Sequence, residues 1–107
     1  MKKVLTNGEL LLVESILGEY VLREEVMAPK NTARLKRALI KVISLLDERE
    51  RIIVELRVGL VDGRPRTFRE IGEQFKVTGT RIRQIVAKAM RKARHPTRIH
   101  FLDGFYS

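Results

Sequence analysis

The sequence predicts an all-α protein: a small helical domain ending in a helix-turn-helix, with an extra N-terminal helix ahead of it. Three observations carry this. Apolar residues recur at spacings of three and four along each long segment, the period of a helix with one buried face. Two capping-box pairs, Asp47 with Glu50 and Thr67 with Glu70, mark helix starts. Between residues 66 and 96 a short amphipathic segment, a three-residue turn and a longer amphipathic segment succeed one another. At 107 residues the chain has room for one domain with an appended element. The expected division is an N-terminal helical extension, residues 1–30, and a helix-turn-helix domain, residues 31–107.

Residues 7–27 read as the extra helix, capped by Thr6 or Asn7. Leu10, Val13, Leu17, Tyr20 or Val21, and Glu24 track one face, widened by Leu11, Leu12 and Ile16. A face that broad needs a partner. Gly18 weakens the helix midway. Pro29 biases Ala28 away from helix, so residues 28–31 read as a break. Thr32 is the expected cap of a second helix, residues 33–46, with Leu35, Leu39, Val42, Ile43 and Leu46 as its stripe. Asp47 and Glu50 open a third, residues 48–58, with Ile52, Ile53 and Leu56 as the expected buried side and Gly59 as its stop. Asp62-Gly63 then makes a turn and Pro65 stops helix, so residues 60–65 are a loop.

Thr67 caps the next helix, residues 68–74, with Ile71 and Phe75 on one face. Gly72 between them lets a second helix approach. Residues 76–78 make the turn, Val77 plugs its corner, and Thr78 can accept from a free N–H of the succeeding helix. That helix, residues 79–94, has Ile82, Ile85, Val86, Ala89 and Ala93 on one side. Arg81, Gln84, Lys88 and Arg91 fall on the other, with Arg83 and Lys92 on the flanks. Such a face suits the major groove, because Arg and Gln carry forked donors that read guanine and adenine edges. Free N–H groups at the helix start suit a phosphate. Taken alone, the helix reads better as a solvated surface helix; the short helix and turn before it favour DNA. After Pro96, Ile99, Phe101 or Leu102, and Phe105 suggest a last short helix or a tail packed back on the core.

Net charge is +9, and residues 64–98 hold all of it, with eleven Arg or Lys against Glu70 and Glu73. The remainder balances eleven basic against eleven acidic residues. A basic half joined to a neutral half is the footprint of a nucleic-acid reader with a protein-facing portion. No apolar run reaches the roughly 20 residues needed to span a bilayer, so no membrane partner is expected. The absence of cysteine excludes a disulfide framework and fits a reducing cytoplasm. His95 and His100 form no metal set with carboxylates, no glycine-rich phosphate loop is present, and no serine has a paired base. Neither an enzyme nor a cofactor is expected.

The run Glu70-Ile71-Gly72, Gln74-Phe75, Val77-Thr78, Arg81-Ile82-Arg83-Gln84-Ile85, Ala87-Lys88-Ala89, Arg91-Lys92, Arg94-His95-Pro96-Thr97-Arg98 is long and ungapped. It resembles the last helix-turn-helix of primary bacterial sigma factors, their C-terminal domain or region 4. The run from Leu46 to Leu60 is similar to the family's preceding helices, so the resemblance covers roughly residues 33–98; residues 1–30 are not matched. It implies contact with promoter DNA at the minus-35 element and docking on the β-subunit flap of RNA polymerase. Phosphate contacts carry over to Arg57 and Thr67, and base contacts to Arg83 and Gln84. With the basic face added, the candidate DNA-facing set is Arg57, Thr67, Thr80, Arg81, Arg83, Gln84, Lys88 and Arg91. The candidate flap-facing set is Leu39, Ile52, Ile53, Leu56 and Leu60.

Two departures matter. The family's Arg-Glu pair after the turn Thr is Gly79-Thr80 here, and its Glu after the Arg-Ile-Arg-Gln-Ile run is Val86. The base reading of that pair does not carry over. The family regions that melt the minus-10 element have no counterpart in the run. The resemblance therefore implies a fragment, a split sigma working with a second protein that supplies the remaining regions, or a phage or mobile-element regulator. Residues 12–19 also echo the flap-tip helix itself, though an extra core helix explains them more simply. Two other readings stay open: a flap-binding decoy or anti-sigma-like factor that reads little promoter DNA, and a helix-turn-helix repressor dimerising through residues 7–27.

Overall fold

A computed structural model describes residues 5–17 and 29–95. Among them the helices are α1 (Asn7–Leu17), α2 (Pro29–Ser44), α3 (Glu48–Val58), α4 (Phe68–Phe75) and α5 (Gly79–Ala93), with no strand. The expected continuation of the first helix through residue 27 and the expected packing of the tail lie outside the described residues.

α1 is capped by Thr6. Its N–H donates to the Glu9 carboxylate at 2.8 Å, and the Glu9 N–H donates back to the Thr6 hydroxyl at 3.1 Å. The buried face is Leu12, Val13 and Ile16, not the expected line through Leu10, which is only half-buried. The face is rotated because α1 packs against α2, α3 and α5 together. Leu11, expected to widen the buried face, is 40% exposed.

α2 begins at Pro29 rather than after Thr32. Proline restricts the residue before it, but its own fixed φ and missing N–H suit the first helical position. Its expected stripe of Leu35, Leu39, Val42 and Ile43, with Leu46 just beyond its end, is buried throughout. α3 starts at the Asp47–Glu50 capping box and stops at Gly59, which takes the left-handed conformation at φ 68° and ψ 41°. Its buried residues are Glu50, Ile53, Val54 and Val58, while Ile52 and Leu56 are half-buried. The expected single stripe fails because α3 is a wall between two clusters. Val54 and Val58 face Leu12, Val13, Ile16, Leu35, Leu39, Val42, Ala89 and Ala93. Ile53 faces Ile71, Ile82 and Ile85 on the other side.

α1 is tied down at both ends. A Cβ on Gly8 would stand 2.5 Å from the Gly59 carbonyl oxygen, so the first turn of α1 lies directly on the end of α3. At the far end the Arg94 guanidinium donates to the carbonyls of Ile16 at 3.1 Å and Ser15 at 3.2 Å. Those carbonyls lie near the C-terminal end of the described part of α1.

Candidate nucleic-acid interface

The helix-turn-helix is built from local devices. Thr67 and Glu70 exchange hydrogen bonds of 3.0 and 3.1 Å across the start of α4. α4 ends at Lys76, which adopts φ 61° and ψ 41°, the left-handed region that favours glycine. The Val77 N–H then closes the turn on the Gly72 carbonyl at 2.9 Å. Thr78 accepts from the Arg81 N–H at 3.0 Å and caps α5. Gly72 is required, but by the turn more than by the facing helix: a Cβ there would meet the Val77 carbonyl oxygen at 2.6 Å. Val77 packs partly buried against the cluster of Ile53, Ile71, Ile82 and Ile85.

This bracing buries Ile82, Ile85, Ala89, Met90 and Ala93 of α5 and half-buries Val86. Met90 lies outside the expected stripe; it is buried because the cluster that contains α1 reaches it. The opposite side of α5 is left to solvent. Thr80, Arg81, Arg83, Gln84, Lys88 and Arg91 are all exposed. None of these Arg and Lys side chains forms an ion pair among the described residues. Lys92, on the flank, is committed inward: its ammonium lies 2.8 Å from the buried Glu50 carboxylate and 3.6 Å from Asp47. The Glu50 hydrogen bond pushes the Lys92 pKa up.

The remaining DNA candidates sit beside this face with work of their own. Arg57 is half-buried; it donates to the Arg66 carbonyl at 2.9 Å, and its guanidinium lies 4.0 Å from the centroid of the Phe68 ring. A guanidinium has five N–H donors, so this leaves capacity for a phosphate. Thr67 is exposed and uses its side chain as a cap. The loop before it is closed by Asp62, which accepts from the Arg64 N–H at 3.0 Å and pairs with Arg66 at 2.6 Å. The Arg66 side chain holds the Asp62 carboxyl below its usual range, and Asp62 in turn raises Arg66. Hydrogen bonding from the Thr67 backbone holds Glu70 low as well.

One cation is not signalled by the sequence. Arg49 of α3 is exposed and lines a cleft with Arg81, Gln84 and Lys88. Its guanidinium is 5.9 Å from the centroid of the Phe75 ring. Only the packing of α3 against α5 brings it there, and no local pattern marks that.

Of the flap candidates, Leu39 and Ile53 are buried at 2% and 0% exposure, while Ile52, Leu56 and Leu60 are half-buried. Ile52 and Leu56 line a mainly apolar hollow of about 290 Å³ with Glu55, Val61, Asp62 and Arg66. Leu39 lies in the cluster that α1 covers. Among the described residues no helix is long and apolar enough to cross a membrane.

Comparison with known proteins agrees with this geometry. The family Sigma-70, region 4 matches residues 42–95. RNA polymerase sigma factor SigA of Clostridium acetobutylicum is 48% identical over 95 residues, covering 86% of this chain and 25% of that protein. RNA polymerase sigma factor SigA of Bacillus sp is 46% identical over 95 residues, with the same shares covered. The chain thus spans about a quarter of the length of these relatives. Both alignments are longer than the stretch from residue 33 to 107, so they take in part of the N-terminal third. The chain belongs to the sigma-70 region 4 family, a DNA-binding helix-turn-helix domain of transcription factors and not an enzyme.

Proposed function

We propose that this protein contacts promoter DNA in the minus-35 region through α5 and docks on the flap of the RNA polymerase β subunit. The observation that carries the DNA half is the outer face of α5, where Arg81, Arg83, Gln84, Lys88 and Arg91 are exposed and unpaired among the described residues. Arg83 and Gln84 are the candidate base readers. Lys88 and Arg91 suit phosphates, as do Arg57 and Thr67 beside the α4 start. Thr80 and Arg81 lie at the N-terminal end of α5, where free N–H groups add to the attraction for an anion. Arg49 extends the same cationic surface.

Docking rests on the hollow lined by Ile52 and Leu56, with Ile53 buried in the cluster that Leu56 packs against and Leu39 and Leu60 in the cluster on the other side of α3. A helix laid on that hollow covers apolar surface and leaves Glu55, Asp62 and Arg66 as a polar rim. A second reading, a flap-binding factor that reads little promoter DNA, is favoured by one specific feature. Gly79 and Thr80 offer no long forked donor where the family has Arg-Glu. A Cβ at Gly79 would lie 3.3 Å from the Arg69 nitrogen, so a larger residue fits only with a small shift.

One binding experiment separates these. A minus-35 duplex and a scrambled duplex are titrated with native protein, Gln84→Ala, and Gly79→Arg with Thr80→Glu. We expect selective binding by the native protein, loss of about 1–3 kcal/mol in discrimination for Gln84→Ala, and sharper preference for the double variant. Equal affinity for both duplexes, with retained binding to a flap-tip peptide, makes the second reading the correct one.

A further inference from the structure

Leu39 and Leu60, two of the flap candidates, share one cluster with Leu12, Val13 and Ile16 of α1. Leu39 is closed off there, and Leu60 packs against the edge. The floor under α1 comes from three other helices: Leu39 and Val42 of α2, Val54 and Val58 of α3, Ala89 and Ala93 of α5. Such a floor is a groove that an amphipathic helix fills, and α1 fills it. The rest of the fold does not lean on α1 in the same way. Ile53, Ile71, Ile82 and Ile85, which brace α4 and α5, form a separate cluster that holds no α1 residue. The caps of α4 and α5 are closed within residues 67–81. α1 itself has 11 residues, too few for a stable helix without a seat. Its polar ties include Arg94 on the Ser15 and Ile16 carbonyls and Lys36 at 3.5 Å from Glu9. Residues 18–28 separate α1 from α2 in the sequence, chain enough for α1 to leave while α2 stays.

We propose that α1 is a displaceable plug: it occupies the groove that a helix of the β-subunit flap enters beside Leu39 and Leu60, so docking on that side of α3 requires α1 to leave. The proposal rests on the flap-docking reading above and adds its regulation. α1 and the incoming helix compete for one apolar seat. The partner's measured affinity is then its intrinsic affinity reduced by the fraction of chains whose groove is open. The α5 outer face and its bracing cluster lie outside the exchange, so DNA contact and flap docking are controlled separately.

The test titrates a flap-tip peptide into the full native chain and into Leu12→Glu and Arg94→Gln, which loosen α1 and leave the groove floor unaltered. Hydrogen exchange is followed in α1, α4 and α5. The peptide should bind Leu12→Glu about tenfold more tightly than native protein, with Arg94→Gln between the two. Saturating peptide should quicken exchange in α1 of the native chain while α4 and α5 keep their protection. Equal or weaker binding by both variants, with α1 exchange in the native chain unchanged by bound peptide, overturns the plug and leaves docking in the Ile52 and Leu56 hollow standing. No peptide binding by any of the three proteins overturns the flap-docking reading and the plug with it. Loss of protection in α4 and α5 of Leu12→Glu also overturns the plug, by making α1 part of the core that holds the DNA half. The exchange readout on the native chain needs no variant to fold.

Discussion

Between Thr67 and Arg81 each helix end is closed by a neighbour in sequence: Thr67 with Glu70, Val77 with Gly72, Arg81 with Thr78. By contrast, α1 is held by residues far along the chain, Gly59 against Gly8 and Arg94 on the Ser15 and Ile16 carbonyls. One half is set by local chemistry and the other by topology, with α3 as the shared wall. The two halves should therefore fail differently.

The largest effect is expected at the turn. Gly72→Ala places a methyl 2.6 Å from the Val77 carbonyl oxygen, and both are backbone-anchored. Alanine would gain about 1 kcal/mol of helix propensity, yet we expect a net loss of about 2–4 kcal/mol by urea denaturation, with DNA affinity lost too. A stability within about 0.5 kcal/mol of native would mean that the turn relaxes freely.

On the α1 side, Gly8→Ala meets the Gly59 carbonyl at 2.5 Å. We expect about 1–3 kcal/mol of destabilisation. Hydrogen exchange should quicken in α1 and α2 while α4 and α5 keep their protection. Equal loss of protection in all the helices would erase the distinction between the halves.

Lys76 offers a smaller change of the opposite sign. It is the only non-glycine residue with positive φ among the described residues. Lys76→Gly should stabilise the domain by about 0.5–1 kcal/mol, read as a raised melting temperature. No gain would show that the lysine side chain makes up for the strain.

The smallest effect is on pH dependence. Glu70 and Asp62 titrate below their ordinary values in the folded protein, through Thr67 and Arg66 respectively. Depressed folded values mean stability that is present above the unfolded carboxylate range and lost as pH falls through the folded values, below about pH 4. Glu70→Gln should shallow the acid limb of a stability–pH curve by slightly lowering its plateau near neutrality, with stability at the acid end unchanged. Because both groups are exposed, the change is small.

The same division explains how much of the molecule is legible in its sequence. Capping boxes, the left-handed stop at Gly59 and the α5 stripe are legible because their chemistry is contained within a few residues. The start of α2 is not, because Pro29, which restricts the residue before it and so reads as a break, itself begins the helix. The buried side of α3 is misjudged because Ile53 and Val54 face different clusters, which no single helical stripe expresses. Glu50 pairs with Lys92 from another helix, and Arg49 joins the α5 face only through packing. At α5 the pattern identifies the exposed set, while the internal bonds of Arg57 and Thr67 become visible only in three dimensions.

The most direct test of the central reading is the salt dependence of binding to a minus-35 duplex, compared between native protein and Lys88→Ala. Lys88 is exposed, unpaired among the described residues and outside both clusters. If it neutralises one phosphate, the slope of log affinity against log salt should be steep in the native protein and shallower by about 0.9 in the variant, with stability unchanged. An identical slope in both proteins, or a flat one in the native protein, would contradict the assignment of the α5 outer face to DNA.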